Sequence, residues 1–243
     1  MCTVTFVPSG DSFFFTSSRD EHAGRQLAEL PGLHQVKGRQ LLFPRDPQGG
    51  GTWIVVNESG SAAILLNGAQ IAHKSQPPYV KSRGLTLLDL MIRNSPVKTF
   101  EEANLHGIEP FTVILFEEKK LYSCKWDGAK KHLDNLNEFQ AQIWSSVTLY
   151  DDVSIRKREI WFKSWINENP VPDADQIIRF HLEGGEGDPV NDILMNREDK
   201  LFTNSISSIQ LSANGASFRY IDLRSGTSDF SSISFNKEIL QKA

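Results

Sequence analysis

The residue that could start chemistry stands second in the chain. Cys2 follows a methionine. A residue this small permits removal of that methionine, which would leave a thiol and a free α-amine on one residue. The ordinary pKa of such an amine is about 7.7–8.0 and that of a thiol about 8.5. Near neutral pH the amine can therefore serve as the base that activates its own side chain. Ser18-Arg19-Asp20-Glu21 follows some sixteen residues on. In a hairpin turning at residues 8–11, positions near 17–19 lie opposite positions near 2–3. That geometry brings Arg19 and Asp20 to the chain's start. A carboxylate there would hold the ammonium form of the amine, and a guanidinium would favour the thiolate. On residue type alone, a small residue opening a strand and a solvated charge cluster are the commoner readings of these two stretches.

The elements that must position these groups are readable in outline. Thr3 to Val7 and Phe13 to Thr16 predict a hairpin around Pro8-Ser9-Gly10-Asp11. Thr52 to Val56 and Ala62 to Leu66 predict a second, turning at Asn57-Glu58-Ser59-Gly60. Between them Gly49-Gly50-Gly51 is a flexible loop or a close backbone approach. Leu85 to Ile92 has helical spacing, and Pro96 is expected to end that helix. Phe111 to Phe116 and Leu121 to Trp126 read as paired strands before an Asp127-Gly128 turn. Residues 158–168 and 173–183 read as helices, the second capped by Asp173. Ser205 to Leu211, a turn at Asn214-Gly215, Ser217 to Leu223 and Phe230 to Phe235 return to strands. Strands at both ends with helices between predict an α+β fold with helices packed on sheets.

Composition narrows the function classes. The chain has 243 residues, 26 basic and 30 acidic, for a net charge of −4. Nucleic-acid binding needs a cationic face, so no nucleic-acid partner is expected. Two cysteines, Cys2 and Cys124, exclude a disulfide framework and a four-cysteine zinc site. The apolar runs are far shorter than the roughly 20 residues of a membrane helix. No signal peptide is read, so the cytoplasm is the expected compartment. The six histidines are scattered and none makes a His-x₃-His pair. No metal and no cofactor are expected. Residues 184–189 are glycine-rich but acidic, which reads as a surface turn and not a phosphate loop. Trp161, Phe162, Trp165 and Ile166 at helical spacing read as core. Lys81 and Arg83 beside Tyr79 read as a basic surface loop, and Cys124, between Tyr122 and Trp126, as a buried inert thiol. With no internal repeat and no low-complexity tract, residues 1–243 are expected to form one domain.

Four stretches in order carry a family resemblance: Met1 to Phe6, the Ser18-Arg19-Asp20-Glu21 run, Gly50 to Gly68, and His132 to Asn135 followed by Ile143 to Asp152. Together they resemble the NRDE family, also called the transport and Golgi organisation protein 2 family, with Ser18 standing where the motif has Asn. That family is similar to the cysteine-type N-terminal nucleophile hydrolases, which include the penicillin acylase and bile-salt hydrolase group. The resemblance implies a four-layer αββα sandwich. It implies Cys2 as nucleophile with its amine as base, Asp20 orienting the amine, and Arg19 tuning charge or holding substrate. It places oxyanion donors at Asn67 and Asn135; losing one such donor typically costs about 10²–10³ in rate. Trp53, Trp144 and Ser146 fall in the shared segments and are expected to line the substrate pocket. The implied activity is an amidohydrolase or acyltransferase acting on a small amide or acyl compound. The alternative is a non-catalytic protein of the same fold that binds or carries a hydrophobic ligand such as a lipid, acyl-coenzyme A or haem. The oligomeric state is not legible.

Overall fold

A computed structural model describes residues 2–236. The chain opens with β1 (Cys2–Ser9) and β2 (Ser12–His22), then β3 (Glu29–Val36), β4 (Arg39–Arg45), β5 (Ile54–Asn57) and β6 (Ala62–Asn67). Two helices follow, α1 (Arg83–Met91) and α2 (Pro96–Glu102). Next come β7 (Phe111–Glu117), β8 (Lys120–Trp126), β9 (Lys131–Leu136) and β10 (Gln142–Ser145). The helices α3 (Asp152–Glu168) and α4 (Ala174–Glu183) precede β11 (Asn196–Arg197), β12 (Leu201–Leu211), β13 (Gly215–Asp222) and β14 (Thr227–Ser234).

Two antiparallel sheets result. The first runs β10-β1-β2-β12-β13-β14, with β11 on β12. The second is a meander from β3 to β9 in chain order. Period-two alternation decides which side chains go where. Cys2, Val4, Phe6 and Phe15 face the seam between the sheets, where they meet Ile54, Val56, Ile64 and Phe116 of the second sheet. Phe6 and Phe15 stand 5.0 Å apart by ring centroids, and Phe13 and Phe116 4.7 Å. Val7 and Phe14 face the other way and bury against Phe162, Ile177 and Phe180 of α3 and α4. On the outside of the second sheet, Val55, Ala63, Leu65 and Leu115 bury against Leu87, Leu88 and Met91 of α1 and Phe100 of α2. The order of layers is therefore helix, sheet, sheet, helix, as expected. No helix among the described residues is long and apolar enough to cross a membrane.

Several boundaries differ from expectation for physical reasons. Pro96 does not end α1. It opens α2, at whose first turn a missing N–H costs nothing, and Ser95 caps it by accepting from Lys98 N at 3.3 Å. The helix expected at 158–168 starts six residues earlier, where the Asp151 carboxylate accepts from Ser154 N at 2.8 Å. Asp173 caps α4 and forms a capping box with Gln176. Strands β3, β4, β9, β10 and β11 are additional. Pro31 and Gly32 interrupt the alternation of β3, and β9 is polar at four of its six positions.

The polar face of the first sheet holds α4 in place. The His181 ring is fully buried, with Nε2 2.8 Å from Thr5 Oγ1 and Nδ1 2.7 Å from Ser18 Oγ. A neutral imidazole donates from one nitrogen and accepts at the other, so two hydroxyls satisfy it. Burial pushes its pKa from 6.5 down to about 3. Between those values the unfolded chain binds a proton that the folded chain refuses. This histidine therefore makes stability rise with pH across that window, by at most about 1.4 kcal/mol per pH unit. We expect urea unfolding of the parent between pH 4 and pH 6.5 to show a steeper rise than that of His181→Gln, by up to one proton's slope. Equal slopes would mean that the ring is protonated in the fold.

Candidate functional site

Cys2 lies directly across from Arg19 in the β1–β2 register. Directly opposed residues project to the same face of a sheet, so thiol and guanidinium emerge together at one end of the seam. Cys2 is 2% exposed. Its carbonyl accepts from Ser146 N at 3.0 Å, and Ser146 Oγ donates to the carbonyl of Asn67 at 2.7 Å. One serine thus ties the first strand of one sheet to the end of β6 in the other. Asn67 is followed by Gly68 at φ +83°, where a Cβ would stand 2.6 Å from Val147 Cγ2. The Asn-Gly pair is therefore demanded by packing as well as by the turn. No hydrogen bond among the described residues occupies the Asn67 side-chain amide.

Cys2, Arg19, Trp53 and Asn67 share a cleft of about 120 Å³ with Glu21, Arg25, Asp46, Ser82, Arg83 and Gly84. Arg19 lies over the Trp53 ring, 4.5 Å from its centroid, with Nη2 3.3 Å from Asp46 Oδ2 and 3.9 Å from Glu21 Oε2. Arg25 Nη2 donates to the same Asp46 oxygen at 2.5 Å. Burial pushes the Asp46 carboxyl up, but the hydrogen bond and charge of Arg25 and the charge of Arg19 outweigh it and hold the group below its ordinary value.

Asp20 and Ser18 point to the opposite face from Arg19. Asp20 is fully buried, accepting from Tyr150 Oη at 2.5 Å and Thr203 Oγ1 at 2.7 Å. Burial raises its pKa above the ordinary carboxylate value, against those two donors. Tyr150 is covered by the Arg158 guanidinium, 3.4 Å from its ring centroid. Arg158 itself is fully buried and donates to Thr3 Oγ1 and to the carbonyls of Asn191 and Asp192. Because antiparallel pairing sets Cys2 against Arg19, Asp20 flanks the amino end of Cys2. Ser18 belongs to His181 and α4, so its departure from Asn leaves the cleft unaltered.

The remaining expected residues divide. Ser146 is the tie just described. Trp144 lies opposite Val4 and lines a separate cavity of about 180 Å³, which reaches the cleft residue Asn67. Asn135 is a correction: it is exposed on the edge strand β9, opposite Tyr122, and two strands separate it from β6. The run pairs with β8, and its polar residues suit an edge facing water. Arg83 is a second correction. It is no surface loop residue but the first residue of α1, turned into the cleft and ion-paired to Glu109 at 3.0 Å. Burial pulls its guanidinium below the usual arginine range, with Glu109 opposing. Arg25, Asp46 and the first turn of α1 carried no signal in one sequence, except that Gly51 and Gly84 mark where they meet. A Cβ on Gly51 would stand 2.2 Å from the Gly84 carbonyl carbon, and one on Gly84 2.8 Å from Thr52 O. Cys124 is buried, and burial pushes its thiol up to about 12.

Comparison with known proteins fits this geometry. Residues 1–211 match the family model described as Transport and Golgi organisation 2, and the chain belongs to that family. No curated protein matches it in sequence. Among solved structures, an N-acylethanolamine-hydrolyzing acid amidase ortholog from Caenorhabditis elegans superposes with a TM-score of 0.57 at 11% identity, over 86% of this chain and 92% of the other. A cysteine-to-alanine mutant of the conjugated bile acid hydrolase from Clostridium perfringens gives 0.58 at 13% identity, over 98% of each chain. The fold is thus that of the N-terminal nucleophile hydrolases.

The Gly51–Gly84 contact sets the cleft's floor. Gly84→Ala should force the two backbones apart and cost about 1–3 kcal/mol, the usual range for overpacking. At this chain length that lowers the thermal midpoint by about 2–4 °C per kcal/mol. An unchanged midpoint in thermal unfolding would show that the loop yields freely.

Proposed function

We propose that this chain is an N-terminal cysteine nucleophile hydrolase, an amidohydrolase or acyltransferase for a small amide or acyl compound. On this reading residues 1–243 act as one domain, in a reducing compartment such as the cytoplasm. The observation that carries it is convergence: residues 2, 19, 53 and 67 meet around one small cleft with a thiol at its edge. Both structural neighbours are named for hydrolysing amides or conjugates, which supports the same class.

The chemistry follows from the positions. Once the preceding methionine is removed, the α-amine of Cys2 takes the thiol proton. Sγ attacks the carbonyl carbon, a C–S bond forms, and the electron pair moves onto oxygen. The side-chain amide of Asn67 donates to that oxygen. Asp20, flanking the amino end of Cys2, orients the amine, while Arg19 is held ready by Trp53 and Asp46. Collapse breaks the C–N bond, and the amine returns its proton to the leaving nitrogen. Water, or an acceptor nucleophile in the acyltransferase case, then attacks the thioester and restores the thiol. Trp53 forms a wall of the site, and Trp144 a wall of the adjoining cavity. Asn135, on the far edge strand, has no part in this scheme.

A second reading keeps the fold and drops the turnover. A cavity of about 790 Å³ at the Gly10 end of the sandwich is lined by Phe13, Phe116, Phe139, Leu211 and Phe235. Apolar walls of this kind suit an acyl chain. Binding of a fluorescent long-chain acyl probe that survives Cys2→Ala and weakens in Phe235→Ala would favour this carrier role. An absence of binding removes it.

For the hydrolase, intact-mass measurement should show a chain that begins at Cys2. A cysteine-directed acylating probe should modify the parent and not Cys2→Ala. Asn67→Ala should slow that acylation by about 10²–10³. A retained methionine ends the role of the amine, and equal labelling of Cys2→Ala ends the role of the thiol.

A further inference from the structure

We propose that Arg83 and the first turn of α1 form a carboxylate-binding subsite, so that the substrate of the cleft carries a carboxylate close to the carbonyl that Cys2 attacks. The inference rests on the reading of Cys2 as the reacting group and adds the substrate's charge to it.

Three independent features point to an anion. The first is charge. Arg19, Arg25 and Arg83 line the cleft against only Glu21 and Asp46. Arg19 and Arg25 converge on Asp46, so the acid there is already spoken for. Arg83 makes its ion pair with Glu109, outside the cleft lining, and one further contact with the Pro110 carbonyl at 3.4 Å. A guanidinium has five N–H donors, and these contacts engage only Nη2 and Nη1, so donors remain on a side chain that lines the same cleft as Cys2. The second feature is the helix. Ser82 caps α1 with its hydroxyl, accepting from Leu85 N at 3.2 Å. The N–H groups of Arg83 and Gly84 have no intrahelical acceptor, and they sit at the positive end of the helix dipole. The third is an unmatched donor. Trp53 is 5% exposed and walls the cleft, yet its indole Nε1 is buried with no hydrogen-bond partner. Buried polar groups are nearly always paired, so this N–H marks the place of an acceptor that a ligand would bring.

The size of the space selects the class. A cleft of about 120 Å³ that already contains a thiol admits a small group. A carboxylate matches the planar fork of a guanidinium with two parallel N–H···O bonds. Its charge completes a set of donors that an uncharged amide or an alkyl chain would leave unpaired.

Alkylation of Cys2 tests this without a substrate. Iodoacetate and iodoacetamide both transfer a carbon to the thiolate sulfur with loss of iodide, and only the first bears a carboxylate. We expect the ratio of their rates at Cys2, relative to the same ratio for free cysteine, to exceed about tenfold, as one charge-assisted pair provides. In Arg83→Gln the ratio should fall close to that of free cysteine. On the parent protein, propionate at constant ionic strength should protect Cys2 from iodoacetamide, which serves should the variant fail to fold. Peptide mapping separates Cys2 from buried Cys124. Equal relative rates for the two reagents overturn the subsite and leave the nucleophile reading intact. Protection by inorganic phosphate but not by propionate overturns the carboxylate assignment. Should neither reagent modify Cys2, the nucleophile reading fails. The subsite is then decided by whether propionate raises the thermal midpoint of the parent and not of Arg83→Gln.

Discussion

Everything at the cleft depends on holding the chain's first strand at its very end. Terminal residues fray unless something ties them down. Here Thr3 pairs with Ser18 of β2 on one side and Ser145 of β10 on the other. Ser146 then binds the carbonyl of Cys2 and reaches across to the Asn67 carbonyl. A thiol at the second position keeps one place in the cleft only if its backbone is as rigid as a central strand. This pairing supplies that rigidity, and its β10 side comes from residues more than a hundred positions away in the chain.

Register is the second half of the same constraint. A slip of one residue in β1 would turn Cys2 away from the seam and toward the helices. The two faces of the first sheet make that slip expensive. One face is aromatic and apolar, with Val4, Phe6 and Phe15. The other carries Thr3, Thr5, Thr16, Ser18 and Asp20, each engaged by a specific partner. Exchanging the faces would bury hydroxyls among phenylalanines and take from Arg158 and His181 the hydroxyls that they bond. An unsatisfied buried polar group costs about 1–3 kcal/mol, and more when charged. The polar layer under α3 and α4 therefore contributes most as a device for specifying register.

The legible parts of the sequence were those with strong local patterns. The β1–β2 hairpin, the β5–β6 and β7–β8 pairs and the capped helix α4 all combine apolar runs with turn or cap residues. Cys2, Arg19 and Asn67 were legible because hairpin geometry and motif order constrain them. Asn135 misled because the resemblance placed it by motif order alone, and motif order does not show that two strands separate β9 from β6. Arg83 and Asp46 were invisible because their importance comes from tertiary contacts, across the Gly51–Gly84 approach and the Arg19–Asp46–Arg25 cluster. The start of α3 was hidden because the residue that its first turns bury is Ser154, so residues 152–157 show no apolar stripe.

Those tertiary contacts also explain why the cleft is ordered before any ligand arrives. Arg19 is clamped between a ring and two carboxylates, and Asp46 takes two guanidiniums as well as the backbone N–H groups of Gln48 and Gly49. A donor fixed in place loses little freedom when charge develops beside it, and this preorganisation is where an active site's electrostatic advantage lies. Arg83 differs, because its partner Glu109 also faces His73 and lies off the cleft's lining. The cleft thus combines a guanidinium locked by its own cluster with one whose ion pair lies off the lining.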